Sequence, residues 1–317
     1  MRIVFFGSGA FGLPTIEMLA REHELVRVIS QPDRKAGRGG RLTPTPISQW
    51  ALENGLSDRL DRPDSINTPA TVEHVRSLDA EVWVVIAYGQ KLSGTLLANR
   101  FAINLHASLL PRWRGAAPIN AAILAGDTVT GNSVITLADR MDAGLVLGQS
   151  QRPIDPELTA GELHDLLAAD GPDLVRRVLV SHETDTLTPV PQDESRVTRA
   201  PKLSRRDAWI DLTRPAEEVR RRVHGLTPWP GVGVRLGNHE VKLLRVKAET
   251  IDPQSERRAT GGAVIDVEQG LFACAQGSAI RIIELQPAGK RAMTWEQFVR
   301  GRSIAPSAVL SSLQERP

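Results

Sequence analysis

The uncharged run VWVVIA at residues 82–87 constrains the fold more than any other stretch of this chain. Its β-branched and aromatic side chains suit a strand, and six consecutive apolar positions leave it no polar face. A strand of that kind is covered on both sides, as in a parallel sheet flanked by helices. Residues 2–6, ending at Gly7, and residues 25–30 and 101–105 read as further strands. Residues 13–20, 46–54, 69–78 and 118–124 read as helices. Residues 132–137 alternate like another strand, residues 138–144 form a turn, and an apolar run resumes at 145–147. Helices are expected at 159–169 and 173–180. Strands alternating with helices to about residue 180 predict an α/β fold with a doubly wound parallel sheet.

Residues 183–205 are polar and proline-bearing, with no apolar period, and read as a linker. Beyond them a helix at 215–224 carries Arg220, Arg221 and Arg222. Short strand-like pieces follow at 232–236, 241–246, 262–266, 271–275 and 279–285, then a helix at 294–300. Their spacing and glycine-rich turns predict a small β-barrel. The expected organisation is a first domain over 1–182, a linker over 183–205 and a second domain over 206–317.

The length of 317 residues is ample for two cores. Net charge is only +2, but residues 1–200 hold 20 Lys+Arg against 24 Asp+Glu, while residues 201–317 hold 19 against 13. A basic second half suits a polyanionic partner, and equally a domain that is simply basic. The lone Cys274 rules out an internal disulfide and points to a reducing compartment. No apolar run approaches membrane-spanning length, and the strand-like run after Met1 is too short for a signal peptide core. A cytoplasmic protein, acting as a monomer, is the expectation.

Gly7-Ser8-Gly9-Ala10-Phe11-Gly12 is a literal G-x-G-x-x-G between a strand and a helix, with Asp33 about 20 residues further on. That is the dinucleotide fingerprint. Against it, Asp33 lies past Gln31-Pro32 in a loop rather than at a strand tip, and glycines tighten such turns without any ligand. The following stretch, DRKAGRGGRLTPTP at 33–46, reads as an irregular basic loop. Arg34, Lys35, Arg38 and Arg41 could follow phosphates or stack on unpaired bases, or could be merely solvated.

Residues 104–118, NLHASLLPRWRGAAP, gather an amide, an imidazole, a hydroxyl and two guanidiniums just after a strand. Ligands bind at such strand ends in open α/β sheets. Asn104 and His106 are two apart on the strand, so their side chains share a face. If Asp142, in the turn ADRMDAG, lies on a neighbouring loop, it can hold the imidazole and favour its charged form. The amide and the imidazolium then give two donors to a developing oxyanion, and Asp142 can take a proton from an attacking nucleophile. This suits acyl transfer to an amine, for which no Ser or Cys acyl-enzyme is needed. There is no G-x-S-x-G elbow. The histidines, His224 and His239 included, lack zinc-ligand spacing, so no metal is expected.

NLHASLLPRWRGAAP resembles the signature of the 10-formyltetrahydrofolate-dependent formyltransferase superfamily. Other landmarks narrow the resemblance to the methionyl-tRNA formyltransferase branch. QPDRKAGRGGRLTPTP is similar to the basic insertion loop with which that branch reaches the tRNA acceptor stem, and VVIAYGQKL to its folate-side strand and loop. MDAG resembles the segment bearing its catalytic aspartate, and LTPWPG and LQPAGKRAM resemble landmarks of its OB-like C-terminal domain. The match runs from the first strand to about residue 300. The resemblance implies a Rossmann-like N-terminal domain that binds no NAD at its glycine turn. It implies Asn104, His106 and Asp142 as the catalytic residues. It implies Ser108, Leu109, Leu110, Pro111, Tyr88 and Gly89 on the folate side, and Arg34, Lys35, Arg38 and Arg41 toward tRNA. The formyl donor would be 10-formyltetrahydrofolate and the acceptor initiator methionyl-tRNA. Sibling enzymes that formylate a sugar amine or glycinamide ribonucleotide, or hydrolyse the folate, would share the three catalytic residues. A non-catalytic RNA-binding module would leave them idle.

Overall fold

The computed structural model describes residues 1–36, 40–251 and 261–316. Two compact units are present. The first comprises Met1–Gly115, Thr130–Arg152 and His164–Arg199, and the second Ala116–Val129, Pro153–Leu163 and Ala200–Pro317.

The first unit is built on β1 (Arg2–Gly7), β2 (Glu24–Ile29), β3 (Arg34–Ala36), β4 (Arg41–Thr43), β5 (Leu60–Asp61), β6 (Val82–Ile86), β7 (Phe101–His106), β8 (Arg114–Gly115), β9 (Val129–Thr136) and β10 (Val146–Pro153). Seven of these form one sheet in the order β10-β9-β7-β6-β1-β2-β5. Every residue of β6 is buried, as the VWVVI run requires. The sheet is parallel from β5 through β2, β1 and β6 to β7. β9 then runs antiparallel to β7, so the sheet is mixed at this end. In chain order the helices up to residue 125 are α1 (Leu13–Glu22), α2 (Pro46–Glu53), α3 (Pro69–Ser77), α4 (Gly94–Leu97) and α5 (Pro118–Ala125). Helices α2 and α3 start where the sequence supplies caps: the Thr45 and Thr68 hydroxyls accept the Ser48 and Thr71 N–H groups, and Pro46 and Pro69 occupy the first turn.

Two local readings change, and the glycine turn keeps the reading the resemblance implied. The basic loop is not irregular along its flanks, because β3 and β4 pair antiparallel from Arg34↔Thr43 to Ala36↔Arg41. Residues 37–39, Arg38 among them, lie outside the described residues. The two helices expected over 159–180 are one, α6 (Ala160–Glu183), which continues through Pro172. A mid-helix proline forfeits a hydrogen bond. Burial of Leu163, Leu167 and Ala168 before it and of Leu174, Val175 and Leu179 after it keeps one axis. The glycine turn holds no free phosphate cradle, since the Ser8 and Gly9 N–H groups both donate to the Ala87 carbonyl, at 3.2 and 3.3 Å. Asp33 accepts from Arg62 at 2.7 Å.

After β11 (Arg199–Ala200), the second unit carries β12 (Val232–Leu236), β13 (His239–Thr250), β14 (Val264–Asp266), β15 (Leu271–Ala273), β16 (Ser278–Pro287), β17 (Met293–Thr294) and β18 (Leu310–Ser312). The order is β14-β15-β16-β13-β12-β18, with β17 beside β16. The sheet curls into a half-barrel. Among the described residues an antiparallel bridge, Ala263↔Val309, joins its two ends. Phe272, Trp295 and Phe298 fill it, with Trp295 and Phe272 edge to face at 5.5 Å.

In the same unit, helix α7 (Ala216–Gly225) presents a fully buried His224. Its Nδ1–H donates to the Pro156 carbonyl at 3.3 Å, while Nε2 accepts the Val246 N–H at 3.2 Å. Only the neutral ring satisfies both partners. Burial therefore pushes the imidazole down from 6.5 to about 4, and the neighbouring Arg220 adds to the shift. Below pH 6.5 the unfolded chain takes up a proton that the buried ring refuses. Stability should accordingly fall on acidification toward pH 4, by at most about 1.4 kcal/mol per pH unit, and be level above the window. His224→Gln keeps a donor and an acceptor but cannot titrate. Urea midpoints measured across that range should flatten in this variant, and a parallel fall in both proteins would assign the acid sensitivity elsewhere.

Candidate active site

Strand β7 ends in Asn104, Leu105 and His106, with Leu105 buried on the opposite face. Antiparallel pairing sets Asn104 opposite Ile135 and His106 opposite Ser133 of β9. β9 then leads into the turn that holds Asp142. This turn is narrow because Thr136 N–H donates to the Leu145 carbonyl and Leu145 N–H to the Thr136 hydroxyl, both at 2.9 Å.

His106 and Asp142 meet in a dry site. His106 Nδ1 lies 3.7 Å from Asp142 Oδ1, and the two side chains are only 7% and 12% exposed. The ring's other nitrogen, Nε2, is 2.9 Å from the Trp113 carbonyl. A carbonyl only accepts, so Nε2 carries a proton, and the nitrogen facing Asp142 donates only in the imidazolium. Asp142 Oδ2 accepts the Gly115 N–H at 2.8 Å. Asp142 also holds a left-handed backbone, φ 54°, and Trp113 another, φ 61°. Such conformations persist only where their surroundings enforce them. The half-buried Asn104 side chain makes no hydrogen bond among the described residues, so its amide remains available to a ligand.

The segment after β7 is fixed from below. Ser133 Oγ donates to the Ser108 carbonyl at 2.6 Å and accepts the Leu110 N–H at 3.0 Å, and Gln149 Nε2 donates to the Leu110 carbonyl at 3.0 Å. Ser108 is fully buried, and its hydroxyl donates to the Arg112 carbonyl at 2.6 Å. Its side chain therefore shapes the loop. Leu109 and Pro111 are half-buried, whereas Leu110 is buried. Tyr88 is also turned inward: its ring is 2% exposed and lies edge to face with Phe6 at 5.8 Å. Burial without a partner pushes its phenol pKa well up. What residues 88–89 offer a ligand is backbone and the open face of Gly89, at φ 87°. Arg34, Lys35 and Arg41 stand exposed on the β3–β4 hairpin.

Several residues of this site carried no signal in the sequence. The stretch read as linker contributes Gln192, Glu194 and Thr198. The Thr198 hydroxyl accepts the Trp113 N–H at 2.9 Å, and Arg114, 8% exposed, donates to Gln192 and Glu194, each at 2.9 Å. The Arg114 hydrogen bond holds the Glu194 carboxyl below the usual range, with Arg140 adding to it. No group of three or more side chains able to hold a metal ion is present among the described residues.

The sequence profile of the formyl transferase family matches residues 1–179, and that of the formyl transferase C-terminal domain matches residues 202–303. The first covers more than half of the chain, which makes this protein a formyltransferase. Solved structures share the fold. They include WlaRD, a sugar 3N-formyl transferase solved with dTDP and 5-N-formyl-THF (TM-score 0.65, 14% identity, 92% of this chain and 99% of that one). Aquifex aeolicus HypX in complex with tetrahydrofolic acid also matches (TM-score 0.62, 17% identity, 94% of this chain and 47% of that one). Much nearer in sequence are the methionyl-tRNA formyltransferases of Cereibacter sphaeroides, 43% identical over 95% of this chain and 96% of that protein, and of Methylococcus capsulatus, 40% identical over 96% and 98%. The chain belongs to the methionyl-tRNA formyltransferase family.

Proposed function

We propose that this protein transfers the formyl group of 10-formyltetrahydrofolate to the α-amino group of initiator methionyl-tRNA. The observation that carries the chemistry is the pairing of His106 Nδ1 with Asp142 at 3.7 Å on the face that Asn104 shares. The amine nitrogen attacks the formyl carbon, and the carbonyl π electrons move onto oxygen. The Asn104 amide and the charged His106 donate to that oxyanion. Asp142, directly or through water, takes the proton that the amine sheds. Collapse re-forms the carbonyl and breaks the bond to N10 of the folate, which leaves with the proton that Asp142 took up, passed on directly or through water.

Residues 108–111, Ser108, Leu109, Leu110 and Pro111, with the backbone of Tyr88 and Gly89, form the folate side. Arg34, Lys35 and Arg41 on the hairpin, and Arg38 by its place in the sequence, supply the charge to follow acceptor-stem phosphates. The catalytic domain spans 1–182, and the tRNA-binding domain spans 206–317 after the connecting segment 183–205. The buried Cys274, with its thiol pushed up to about 12 by burial, is inert, which fits a protein of the reducing cytoplasm. Among the described residues no helix is long and apolar enough to cross a membrane. We take the active species to be a monomer.

The test is formyl transfer from 10-formyltetrahydrofolate to methionyl-tRNA, comparing initiator with elongator. Fast transfer to initiator alone is expected. Consumption of the folate without transfer to either tRNA would retain the site chemistry and move the acceptor to another amine or to water.

A further inference from the structure

Asp142 is held in an enforced backbone conformation by a side chain from outside its own turn. Gln192 Nε2 donates to the Asp142 carbonyl and to the Gly144 carbonyl, both at 2.8 Å. Its Oε1 accepts from Arg114 Nε at 2.9 Å. The orientation of this amide is unambiguous, because the guanidinium can only donate and the two carbonyls can only accept. Arg114 is followed by Gly115, whose N–H holds Asp142 Oδ2 at 2.8 Å. The contacts close into a ring running from the Asp142 carboxylate to Gly115, Arg114, Gln192 and back to the Asp142 carbonyl. One half of the ring grips the carboxylate, the other the backbone that carries it, and Gln192 joins the halves.

We propose that Gln192 is a positioning residue for the formyl-transfer reaction, fixing the direction of the Asp142 carboxylate toward His106 and the amine. The proposal rests on the catalytic reading of Asp142. Its physical content is one side chain of the segment at 190–198 that ties β8 to the carbonyls of Asp142 and Gly144, beside a second tie in which Glu194 joins Arg114 to Arg140. Gly115 N–H holds the Asp142 carboxylate, whereas Gln192 holds the backbone from which it projects. Arg114 is additionally paired with Glu194, itself paired with Arg140 at 3.1 Å, so the strand side of the ring stays anchored when Gln192 is changed. The loss should therefore fall on the turn.

Gln192→Ala removes both arms of the bridge. Gln192→Glu keeps the size and the Arg114 contact but has no N–H to offer the Asp142 and Gly144 carbonyls. Both variants are expected to lose kcat by on the order of tenfold to a hundredfold, the scale of a small misplacement of a reacting group. KM for the folate and for methionyl-tRNA should be unchanged, and the thermal midpoint of Gln192→Ala should be close to wild type, with that of Gln192→Glu lower because its carboxylate oxygen faces two carbonyls. The decisive reading is the coupling to Asp142. In an Asp142→Asn background, followed by single turnover, adding Gln192→Glu should cost nothing further. Undiminished kcat in the single variants, or an equal loss in both backgrounds, overturns the positioning role. Full activity of Asp142→Asn alone would instead refute the catalytic reading beneath it, a separate outcome in the same experiment.

Discussion

Asp142→Asn should lower turnover by about 10³-fold while methionyl-tRNA binding is retained, the range expected for removal of a placed proton acceptor. The substitution is nearly isosteric, and the asparagine carbonyl oxygen can still accept the Gly115 N–H that holds Oδ2 at 2.8 Å. The turn therefore keeps its place, and the charge is what is lost. Two functions go with it: a base for the ammonium proton, and a counter-charge for the imidazolium that donates to the oxyanion. The exposed hairpin carrying Arg34, Lys35 and Arg41, proposed above to follow the acceptor-stem phosphates, is untouched, so methionyl-tRNA affinity should be retained. Rapid-quench measurement of formyl transfer, with tRNA binding measured on the same preparation, checks both halves. Turnover near wild type would remove Asp142 from the chemistry, and loss of both properties would mark it as structural.

Gly144→Ala is expected to damage stability and catalysis together. A Cβ at this position would stand 1.6 Å from the Thr136 carbonyl oxygen and 2.6 Å from its carbon, both backbone atoms. No side-chain rotamer relieves such a contact, so the turn must move away from β9. The cost should reach about 3 kcal/mol, the upper part of the range for overpacking. Displacing Asp142 should remove on the order of a hundredfold in kcat. Gly55→Ala is the matched control. Gly55 has φ 72° with nothing within 4 Å of a new Cβ, so only left-handed strain is added. That strain is worth about 1–2 kcal/mol and leaves the site alone. Denaturant midpoints and kcat on both variants separate collision from strain; equal behaviour of the two would refute the crowding argument.

What the sequence made legible depended on whether a signal was local. The VWVVIA run specified a central strand, because uninterrupted β-branched residues have no other compact use, and β6 is buried throughout. Asn104 and His106 could be placed on one face from strand periodicity alone. The approach of Asp142 could be stated only conditionally, since it depends on β9 pairing antiparallel with β7. Pro172 looked like a break because local propensity says so, and burial along both halves of α6 overrode it. The strand spacing after residue 230 announced one curled antiparallel sheet, but not that β18 would pair with β12 or that Ala263 would meet Val309. Gln192 was invisible for a different reason. Its segment has the composition of a connector, and its role comes from partners 50 and 78 residues away. Trp113 contributes through a carbonyl that every residue has, so no residue type could have announced it.

The bond from His106 Nε2 to the Trp113 carbonyl has a consequence for proton traffic. With one nitrogen permanently occupied as a donor, the imidazole cannot relay a proton through its two ends. It is a terminal, open on one side only. A proton that enters or leaves the ring crosses the gap on the Asp142 side, where the proposed reaction would take place, because the Trp113 carbonyl closes the other end.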